Sequence, residues 1–479
     1  MYTKLSVLKG HGLSPIRRLI HKGSASLGRG SASSIAILGS SVPWDQMLPP
    51  PPPEAAAAAA APRKKVLHDS GARHQALSIH RPQAIDPSAS SPEPSFYSEE
   101  VDNYASKCTH PITLQSLLTM CEAPLTTEKL LQNAQYLSYE RPVRYAKRVK
   151  LFQHLPFIVN TNPYIHDVYV KYFRNFEESH NHPMVRNWDD QRGFIQMLIR
   201  HSDTLKHIMP QIARGFYETR MYFGAKERKL FLDQLITMRI GLRLLTSQHV
   251  AMYNKYLATT GQSTADAADP TDQADCDRFT GIVDNNIVLC DFVHTCAQGV
   301  QALCEMALGD APAFVIDGDT RAAFRYIPSH LEYMVIELLK NAFRSSLLQG
   351  ADSAQETSPP PVLITVSRGN GKVAIRIRDR GGGIPRRIHS KVFDYSFTTA
   401  KQSNAAAGND QSDPTTDAFD SAPEGQGPFA GLGFGLPMTK IYAEFFGGSL
   451  HLISLEEYGC DVFLELPSIK ADHGPQIHI

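Results

Sequence analysis

Three short elements in a fixed order constrain the fold of this 479-residue chain more than any other feature of its sequence. They run from Glu337 to Arg344 (ELLKNAFR), from Asp379 to Pro385 (DRGGGIP) and from Gly431 to Pro437 (GLGFGLP). Alone, the first is typical of an amphipathic helix and the second of a turn, and the third lacks the strand-then-helix context of a dinucleotide fold. What the three elements indicate depends on the chemistry of their side chains and on their occurrence together in this order.

The first element lies within Ser329–Leu348, a segment whose residues predict a helix. Glu337, Asn341 and Arg344 stand at i, i+4 and i+7, so they share one face of that helix. A carboxylate and an amide oxygen are hard ligands that suit a Mg²⁺ ion carried by a nucleotide. This face is therefore the candidate metal-binding side of the site.

The second and third elements carry most of the glycines. Asp379 ends a predicted strand, and a carboxylate there can accept a hydrogen bond from an exocyclic amine such as that of adenine. Gly381 and Gly383 let the backbone approach the base and permit positive φ angles. The third element opens a predicted helix, Gly435–Phe446, at whose start backbone N–H groups can bind phosphate.

The pattern around these elements predicts a two-layer α/β sandwich, with helices on a largely antiparallel sheet. The glycines at 369 and 371 indicate a hairpin. The predicted strands are Ala313–Ile316, Phe324–Ile327, Val362–Arg368, Val373–Asp379, Ser449–Leu455 and Cys460–Leu466. The first two lie around a turn at residues 317–319, and Ile287–Leu308 before them predicts a helix. Ala400–Gly427, rich in small and polar residues, predicts a mobile loop.

The preceding part of the chain is predicted to be helical. Apolar side chains recur there at steps of three and four residues, the period of one helix face. Two such stripes are Phe194, Met197, Leu198, His201 and Leu205, and Phe231, Leu235, Met238, Leu242 and Leu245. Several segments of this kind, separated by short breaks, predict a helix bundle over residues 97–308, with a loop at 259–277.

The first 96 residues have a different composition. Residues 1–44 contain basic residues and many serines but no acidic residue. This composition favours a mitochondrial transit peptide over a disordered basic tail. Residues 45–96 are rich in Pro, Ala and Ser and predict a disordered linker. At the other end, residues 469–479 are predicted to be a short tail.

Charge and cysteine content argue against several classes of function. Lys+Arg and Asp+Glu are equal at 48 each, so no net charge favours binding to nucleic acid or to an anionic membrane. No apolar run reaches the roughly 18 residues that a transmembrane helix needs. The 7 cysteines include no CxxC pair, so neither a zinc site nor a disulfide framework is expected.

The order ELLKN, DRGGG and GLGFG resembles the N box and the two glycine boxes of the GHKL ATPases, which include histidine kinases and heat-shock chaperone ATPases. The resemblance implies an α + α/β fold, in which the helical bundle precedes a Bergerat-type α/β sandwich ATP-binding domain at residues 309–468. It implies ATP and Mg²⁺ as cofactors. The loop Ala400–Gly427 resembles the family's ATP lid, which excludes water when it orders on the phosphates.

Other segments resemble the mitochondrial 2-oxoacid dehydrogenase kinases, which comprise the pyruvate dehydrogenase kinases and the branched-chain 2-oxoacid dehydrogenase kinase. These segments are Glu140–Arg144 (ERPVR), Leu155–Phe157 (LPF), Phe324–Pro328 (FRYIP) and Thr398–Ala400 (TTA). The transit-peptide composition agrees independently. Tyr333, four residues before Glu337, and the end of the chain soon after Leu466 are closer to the branched-chain enzyme. The choice between the two substrates stays open.

The resemblance also implies residue roles. Glu337 would be the general base that activates the substrate serine, Asn341 would hold Mg²⁺, and Asp379 would bind adenine. The implied nucleotide-binding set is Glu337, Lys340, Asn341, Arg344, Asp379, Gly381, Gly383, Thr398, Thr399, Gly431, Leu432, Gly433, Phe434, Gly435 and Leu436. Within it, residues 398–399 would border the nucleotide and residues 431–436 would bind the phosphates. Its two basic members would lie near the phosphates or, alternatively, be surface charges of the helix.

The implied function is a protein serine/threonine kinase of the mitochondrial matrix that phosphorylates and inactivates the E1 component of a 2-oxoacid dehydrogenase complex. The implied partners are E1, the lipoyl domain of E2 and a second copy of the chain. Two alternatives remain, namely an autophosphorylating ATPase of the histidine-kinase type and a non-catalytic ATP-binding module. His201 is interpreted as structural or regulatory, because Ser202 and Lys206 replace the acid and the proline expected beside a phosphoacceptor.

Overall fold

The computed structural model describes most of the chain after residue 97. The described residues are 98–110, 114–122, 124–260, 278–352, 358–369, 371–397 and 433–469. The predicted transit peptide, the predicted linker, the loop at 400–427 and nearly all of the predicted tail lie outside these ranges, as does most of the predicted bundle loop. These assignments stay predictions.

Helices form the N-terminal part of the described structure. In chain order they are α1 (Glu99–Ser106), α2 (Leu114–Met120), α3 (Thr127–Gln153), α4 (Phe157–Asn160), α5 (Pro163–Asn181), α6 (Trp188–Thr204), α7 (Ile208–Glu218) and α8 (Ala225–Thr260). Helix α3 packs against α1, α5 and α8, and α7 packs on α5. The predicted helix bundle is confirmed. None of the described helices is both long enough and apolar enough to cross a membrane.

Side chains that cap the backbone fix where these helices start. The Asn162 side chain accepts hydrogen bonds from the Tyr164 and Ile165 N–H groups at 3.1 and 3.3 Å, and Pro163 follows at the first helical position of α5. A capping side chain and an N-terminal proline each favour a helix start, because the first N–H groups have no partner within the helix. Helix α6 begins with a reciprocal capping box between Asn187 and Asp190.

The two predicted apolar stripes lie on α6 and α8. All members of the α6 stripe are buried. On α8, only Met238 of the predicted stripe is partly exposed. Both stripes therefore face the bundle core, as the helical period predicts.

Strands and helices follow in the C-terminal part. The strands are β1 (Phe279–Thr280), β2 (Val283–Val288), β3 (Phe314–Gly318), β4 (Ala323–Tyr326), β5 (Val362–Gly369), β6 (Lys372–Arg378), β7 (Ser449–Leu455) and β8 (Gly459–Pro467). The helices are α9 (Leu289–Leu308), α10 (Pro328–Asp352), α11 (Arg386–His389) and α12 (Gly435–Phe445). The elements that carry the three motifs are therefore α10, the segment after β6, and α12.

Five of these strands form one sheet in the order β3-β5-β6-β8-β7. Strand β3 runs parallel to β5, whereas the other neighbours are antiparallel. Apolar and more exposed positions alternate along β5, β6 and β8, and Ile364, Ile375 and Leu464 are among the buried ones. Helices α10 and α12 pack against the sheet and against each other, which buries its apolar face. The predicted two-layer α/β sandwich is confirmed.

The sequence missed a second, three-stranded antiparallel sheet in the order β1-β2-β4. In it Ile287 pairs with Phe324 and Val288 with Ala323, so the helix predicted from Ile287 begins two residues later, at Leu289. Strands β3 and β4, predicted around one turn, belong to different sheets. The later start of α9 and the separation of β3 and β4 both follow from strand pairing with residues that are distant in sequence. Helix α9 packs on α10. The domain boundary between residues 308 and 309, which separates the helix bundle from the ATP-binding domain, remains a prediction.

Truncation of a core side chain of α10 tests the packing of the sandwich. Phe343 is 0% exposed, and its ring centroid lies 6.2 Å from that of Phe314 on β3. We expect Phe343→Ala to lower the free energy of unfolding by about 3–5 kcal/mol, because it removes buried apolar surface and leaves a cavity. Denaturant unfolding monitored by circular dichroism measures this change. A loss below about 1 kcal/mol would contradict the packing described here.

Candidate functional site

The three motifs line one cavity of about 340 Å³, a volume in the usual range of small-molecule sites. Helix α10 forms one wall, the segment after β6 forms another, and the start of α12 closes the third side. The predicted residues that line it are Glu337, Lys340, Asn341, Arg344, Asp379, Gly381, Gly383, Gly433, Gly435 and Leu436. The fold therefore brings together side chains and glycines that are distant in sequence.

The other members of the predicted set do not line the cavity or cannot be placed. Thr398, Thr399, Gly431 and Leu432 lie outside the described residues. Phe434 is buried, and its ring centroid lies 5.0 Å from that of Tyr395. Its aromatic ring thus packs beside Tyr395 rather than facing the cavity, although its backbone directly precedes α12.

Asp379 lies where β6 ends, and the residue is 5% exposed. Its Oδ1 accepts hydrogen bonds from the Gly381 N–H at 2.9 Å and the Cys460 N–H at 3.3 Å. Burial raises the pKa of Asp379, and the two N–H groups and the Ser345 hydroxyl partly oppose that shift. A buried carboxylate at a cavity wall is a hydrogen-bond acceptor for a ligand N–H group.

The glycines of the second motif are required by close packing. A Cβ atom built on Gly381 would lie 2.6 Å from the backbone carbon of Ser345, so no larger residue fits against α10. Gly383 has a φ of +71°, and a Cβ there would lie 2.8 Å from the carbonyl carbon of Leu455. The motif is therefore a sharp turn pressed between a helix and a hairpin, which only glycine permits at these positions.

Sequence reasoning missed the residues that make the cavity partly apolar. They are Leu348, Ile384, Val392, Phe397, Leu452 and Val462. It also missed Ser345, which follows Glu337 and Asn341 at further steps of four residues on α10. That spacing was a usable signal for Ser345. The apolar residues come from separate elements, and nothing in their local sequence distinguishes them from core residues.

Helix α12 begins beside Glu337. Its N-cap residue, Phe434, makes no side-chain capping hydrogen bond to the first N–H groups. A Cβ atom built on Gly435 would lie 2.6 Å from Oε2 of Glu337. The helix start therefore combines backbone N–H donors and a positive dipole end, which suits an anion such as phosphate, with an adjacent carboxylate.

Glu337 has two notable neighbours on α10. Its Oε1 pairs with the Lys340 ammonium at 2.7 Å, and both side chains are 21% exposed. Tyr333 lies one turn before it, and burial together with the charge of Glu337 raises the pKa of the Tyr333 phenol well above its usual value. The phenol therefore stays protonated. The arrangement places a proton acceptor and a cation at the cavity, with a neutral tyrosine one helix turn before the acceptor.

Two family models match the chain. One, described as "Mitochondrial branched-chain alpha-ketoacid dehydrogenase kinase", covers residues 111–284. The other, described as "Histidine kinase-, DNA gyrase B-, and HSP90-like ATPase", covers residues 326–470 and hence all three motifs. The chain belongs to the mitochondrial 2-oxoacid dehydrogenase kinase family of the GHKL superfamily. The family and the fold class predicted from the sequence are thereby confirmed.

Curated relatives of the chain are named pyruvate dehydrogenase (acetyl-transferring) kinases, mitochondrial. The one from Arabidopsis thaliana is 28% identical over 371 residues, 76% of this chain and 92% of the relative. Human isozyme 4 is 27% identical over 394 residues, 78% of this chain and 85% of the relative. The one from Schizosaccharomyces pombe is 31% identical over 243 residues, half of each chain. The bundle matches a branched-chain description, so the comparisons leave the substrate undecided.

The cavity contains a suitable oxygen ligand for a Mg²⁺ ion that a nucleotide would carry. In the described ranges, no group of three or more His, Cys, Asp or Glu side chains could hold a metal ion by itself. Nucleotide-borne Mg²⁺ needs fewer protein ligands, because phosphates and waters supply the others. Asn341 is exposed at the cavity, one turn after Glu337, so its amide oxygen meets this requirement.

His201 of the bundle is 1% exposed, and both its ring nitrogens have partners. Nδ1 lies 2.6 Å from Nη2 of Arg141, and Nε2 lies 2.9 Å from a carboxylate oxygen of Glu178. Burial and the charge of Arg141 lower the pKa of His201 to about 4, so the ring is neutral near pH 7. Arg141 can only donate, so Nδ1 accepts and Nε2–H donates to Glu178. This buried arrangement supports a structural role.

A hydrogen bond connects the bundle to Tyr395. The Tyr395 hydroxyl lies 2.6 Å from Oδ1 of Asp233 on α8, and the other oxygen of Asp233 pairs with Lys229 at 2.9 Å. The Tyr395 ring also contacts Phe434, which directly precedes α12. Tyr395 thus links the bundle to Phe434 of the third motif.

Removing the Tyr395 hydroxyl tests that contact. We expect Tyr395→Phe to lower the free energy of unfolding by about 1–2 kcal/mol, because the hydrogen bond has a charged acceptor. Asp233 keeps its ion pair with Lys229, which limits the loss. Chemical denaturation of both proteins measures it, with the solvent-exposed change Tyr458→Phe as a control. A larger loss in the control than in Tyr395→Phe would contradict the assignment.

Proposed function

We propose that this chain is a protein serine kinase of the mitochondrial matrix that transfers the γ-phosphoryl group of Mg-ATP to the E1 component of a 2-oxoacid dehydrogenase complex. Phosphorylation would inactivate that complex. The observation that carries the proposal is the position of Glu337. Its carboxylate lies at the start of α12, in the same cavity as the buried carboxylate of Asp379. One acid is thus available for the base of a nucleotide and another for the acceptor hydroxyl.

At the base, Asp379 would accept a hydrogen bond from the adenine amino group. Residues 398–399 would border the nucleotide, and residues 431–436 would bind its phosphates through backbone N–H groups. A bound Mg²⁺ ion would neutralise phosphate charge, and Asn341 would be its ligand from the protein. Arg344, which lines the cavity on the same helix face, adds positive charge.

At the acceptor, Glu337 would take the proton of the serine hydroxyl as the serine oxygen attacks phosphorus. Lys340, held at 2.7 Å from this carboxylate, would stabilise the negative charge on the transferred group. Phosphoryl transfer depends mainly on positioning and charge neutralisation, and these residues supply both. The reaction therefore needs no covalent enzyme intermediate.

The proposed partners are E1 as substrate, the lipoyl domain of E2 as docking site, and a second copy of the chain. The names of the relatives support the choice of complex, since these proteins are named kinases of pyruvate dehydrogenase. Their names and the basic, serine-rich N-terminus support a mitochondrial location. Tyr333 and the branched-chain description of the bundle favour the branched-chain complex.

A substrate comparison tests the proposal. The purified chain is incubated with Mg-ATP labelled on the γ-phosphate and with pyruvate E1 or branched-chain E1, each with and without its E2. We expect acid-stable label on serine of one E1, faster with E2 present, and no label when EDTA removes Mg²⁺. ATP hydrolysis without label on either E1 would contradict the proposed kinase function.

A further inference from the structure

Asp379 is held in place by three separate elements. Its Oδ1 accepts the N–H groups of Gly381, within its own turn, and of Cys460 on β8. On the third side lies α10, at Ser345. A Cβ atom built on Gly459 would lie 2.9 Å from the Asp379 carbonyl carbon, so β8 also touches its backbone. The carboxylate thus has little freedom to move away from these contacts.

The Ser345 side chain of α10 makes a hydrogen bond to this turn. Its hydroxyl donates to the Gly381 carbonyl at 3.2 Å, and its proximity to the Asp379 carboxyl group lowers the pKa of that group. The backbone of Gly381 lies directly on Ser345, as the clash of a Cβ atom at this glycine demonstrates. One hydroxyl therefore contacts both ends of the turn that presents Asp379.

We propose that Ser345 is a positioning residue for base recognition, which fixes the Asp379 carboxylate in the orientation that selects an amino-bearing purine. This inference rests on the proposed function, because it requires that Asp379 binds the adenine of ATP. Ser345 acts through Asp379 and Gly381, and it takes no part in phosphoryl transfer.

The physical argument has two parts. An Asp379 that can rotate would recognise an exocyclic amine less strictly, because a hydrogen bond weakens steeply away from linearity. The Ser345 hydroxyl also stabilises the ionised carboxylate, which is the form that accepts from an amine. Without the Ser345 hydroxyl, we expect Asp379 to take up a proton at a higher pH. In that pH range, it would no longer be the ionised carboxylate that accepts a hydrogen bond from the amine.

The groups around Asp379 do not obscure this titration. On β8, burial raises the pKa of the Cys460 thiol to about 11, so it stays neutral below that pH. Asp461, also on β8, is paired with Arg376 and Arg378 at 2.6 and 2.7 Å. On α10, the neighbouring group is the hydroxyl of Ser345. Arg380 follows Asp379 in the turn.

The experiment compares Ser345→Ala with Ser346→Ala in the full-length protein. Ser346 is the matched control, because it is the next residue of α10, is fully buried, and its hydroxyl has no hydrogen-bond partner in the described structure. Dissociation constants for ATP and for inosine triphosphate, which has a carbonyl in place of the amino group, are measured by calorimetry between pH 5 and pH 8. Circular dichroism confirms that each variant is folded.

For Ser345→Ala we expect the ratio of the two dissociation constants to move toward one by about tenfold, since a hydrogen bond that holds the turn presenting Asp379 is lost. The acid midpoint of ATP binding should also move to higher pH. Ser346→Ala should change neither quantity. A Ser345→Ala protein with the wild-type ratio and midpoint would overturn the inference alone. A wild-type protein that does not prefer ATP over inosine triphosphate would overturn both the inference and the proposed role of Asp379.

Discussion

Replacing Glu337 by Gln is expected to lower the rate of E1 phosphorylation by about 10²–10⁴-fold, the usual contribution of a positioned general base. Gln has the same size and keeps an oxygen beside the start of α12, but it cannot accept the proton of a serine hydroxyl. The cavity and its glycines are unchanged, so we expect ATP to bind with a dissociation constant close to that of the wild type.

Two measurements on Glu337→Gln separate catalysis from binding. Initial rates with saturating Mg-ATP report the transfer step, and calorimetry with ATP reports binding. The matched control is Glu444→Gln, because Glu444 is a half-exposed residue of α12 whose nearest cation, Lys440, is 3.8 Å away. Retention of more than about a third of wild-type transfer in Glu337→Gln would contradict a base role, since a general base contributes far more.

Replacing Asp379 by Asn is expected to weaken ATP binding by about 10–100-fold, because the hydrogen bond to the adenine amino group is lost. The amide oxygen of the new side chain can still accept from the Gly381 and Cys460 N–H groups, but its NH₂ group would then face the adenine amino group. Two donors facing each other leave polar groups without partners, which costs about 1–3 kcal/mol. Transfer measured at low ATP concentration should fall in proportion.

The stability of Asp379→Asn should behave differently from its ATP affinity. Burial raises the pKa of Asp379 in the folded protein, so the folded state binds the proton more tightly than the unfolded state does. Stability contributed by this group is therefore present at low pH and declines as the pH rises from its unfolded value through the raised pKa. Removing the charge should leave the unfolding free energy at pH 7 unchanged or higher.

Asp461→Asn is the control for the predicted loss of ATP affinity in Asp379→Asn. Asp461 lies two residues beyond Gly459 on β8, but it pairs with Arg376 and Arg378 instead of lining the cavity. We expect this variant to keep its affinity for ATP, because it does not contact the nucleotide site. Equal losses of ATP affinity in Asp379→Asn and Asp461→Asn would show that sheet charge, and not base recognition, is responsible.

The polar half of the candidate site was predictable because its residues follow local rules. Glu337 and Asn341 are spaced by about one helix turn, so they lie on the same face of the helix in any fold that contains this helix. The glycines at 381 and 383 were predictable for a similar reason, since sharp turns and close backbone approach demand them. The structure adds the reason for Gly381, which is the proximity of Ser345.

The remaining features depend on packing between distant segments, which short sequence patterns do not encode. Strand β2 was missed because its partner, β4, lies more than thirty residues later, and its last residues resemble the helix that follows. The contact between Tyr395 and Asp233 joins segments 162 residues apart. Phe434 was assigned to the nucleotide from its motif, yet its apolar ring packs beside Tyr395.

A single-turnover experiment tests the central claim, direct transfer of phosphate from ATP to a serine of E1. The protein is mixed with γ-labelled Mg-ATP and an excess of the preferred E1, and samples are quenched over time without acid. We predict that label appears on E1 serine as ATP disappears, with no labelled enzyme at any time, including in a His201→Gln variant. Label that forms first on the enzyme as acid-labile phosphohistidine, and only then reaches E1 or water, would contradict the account.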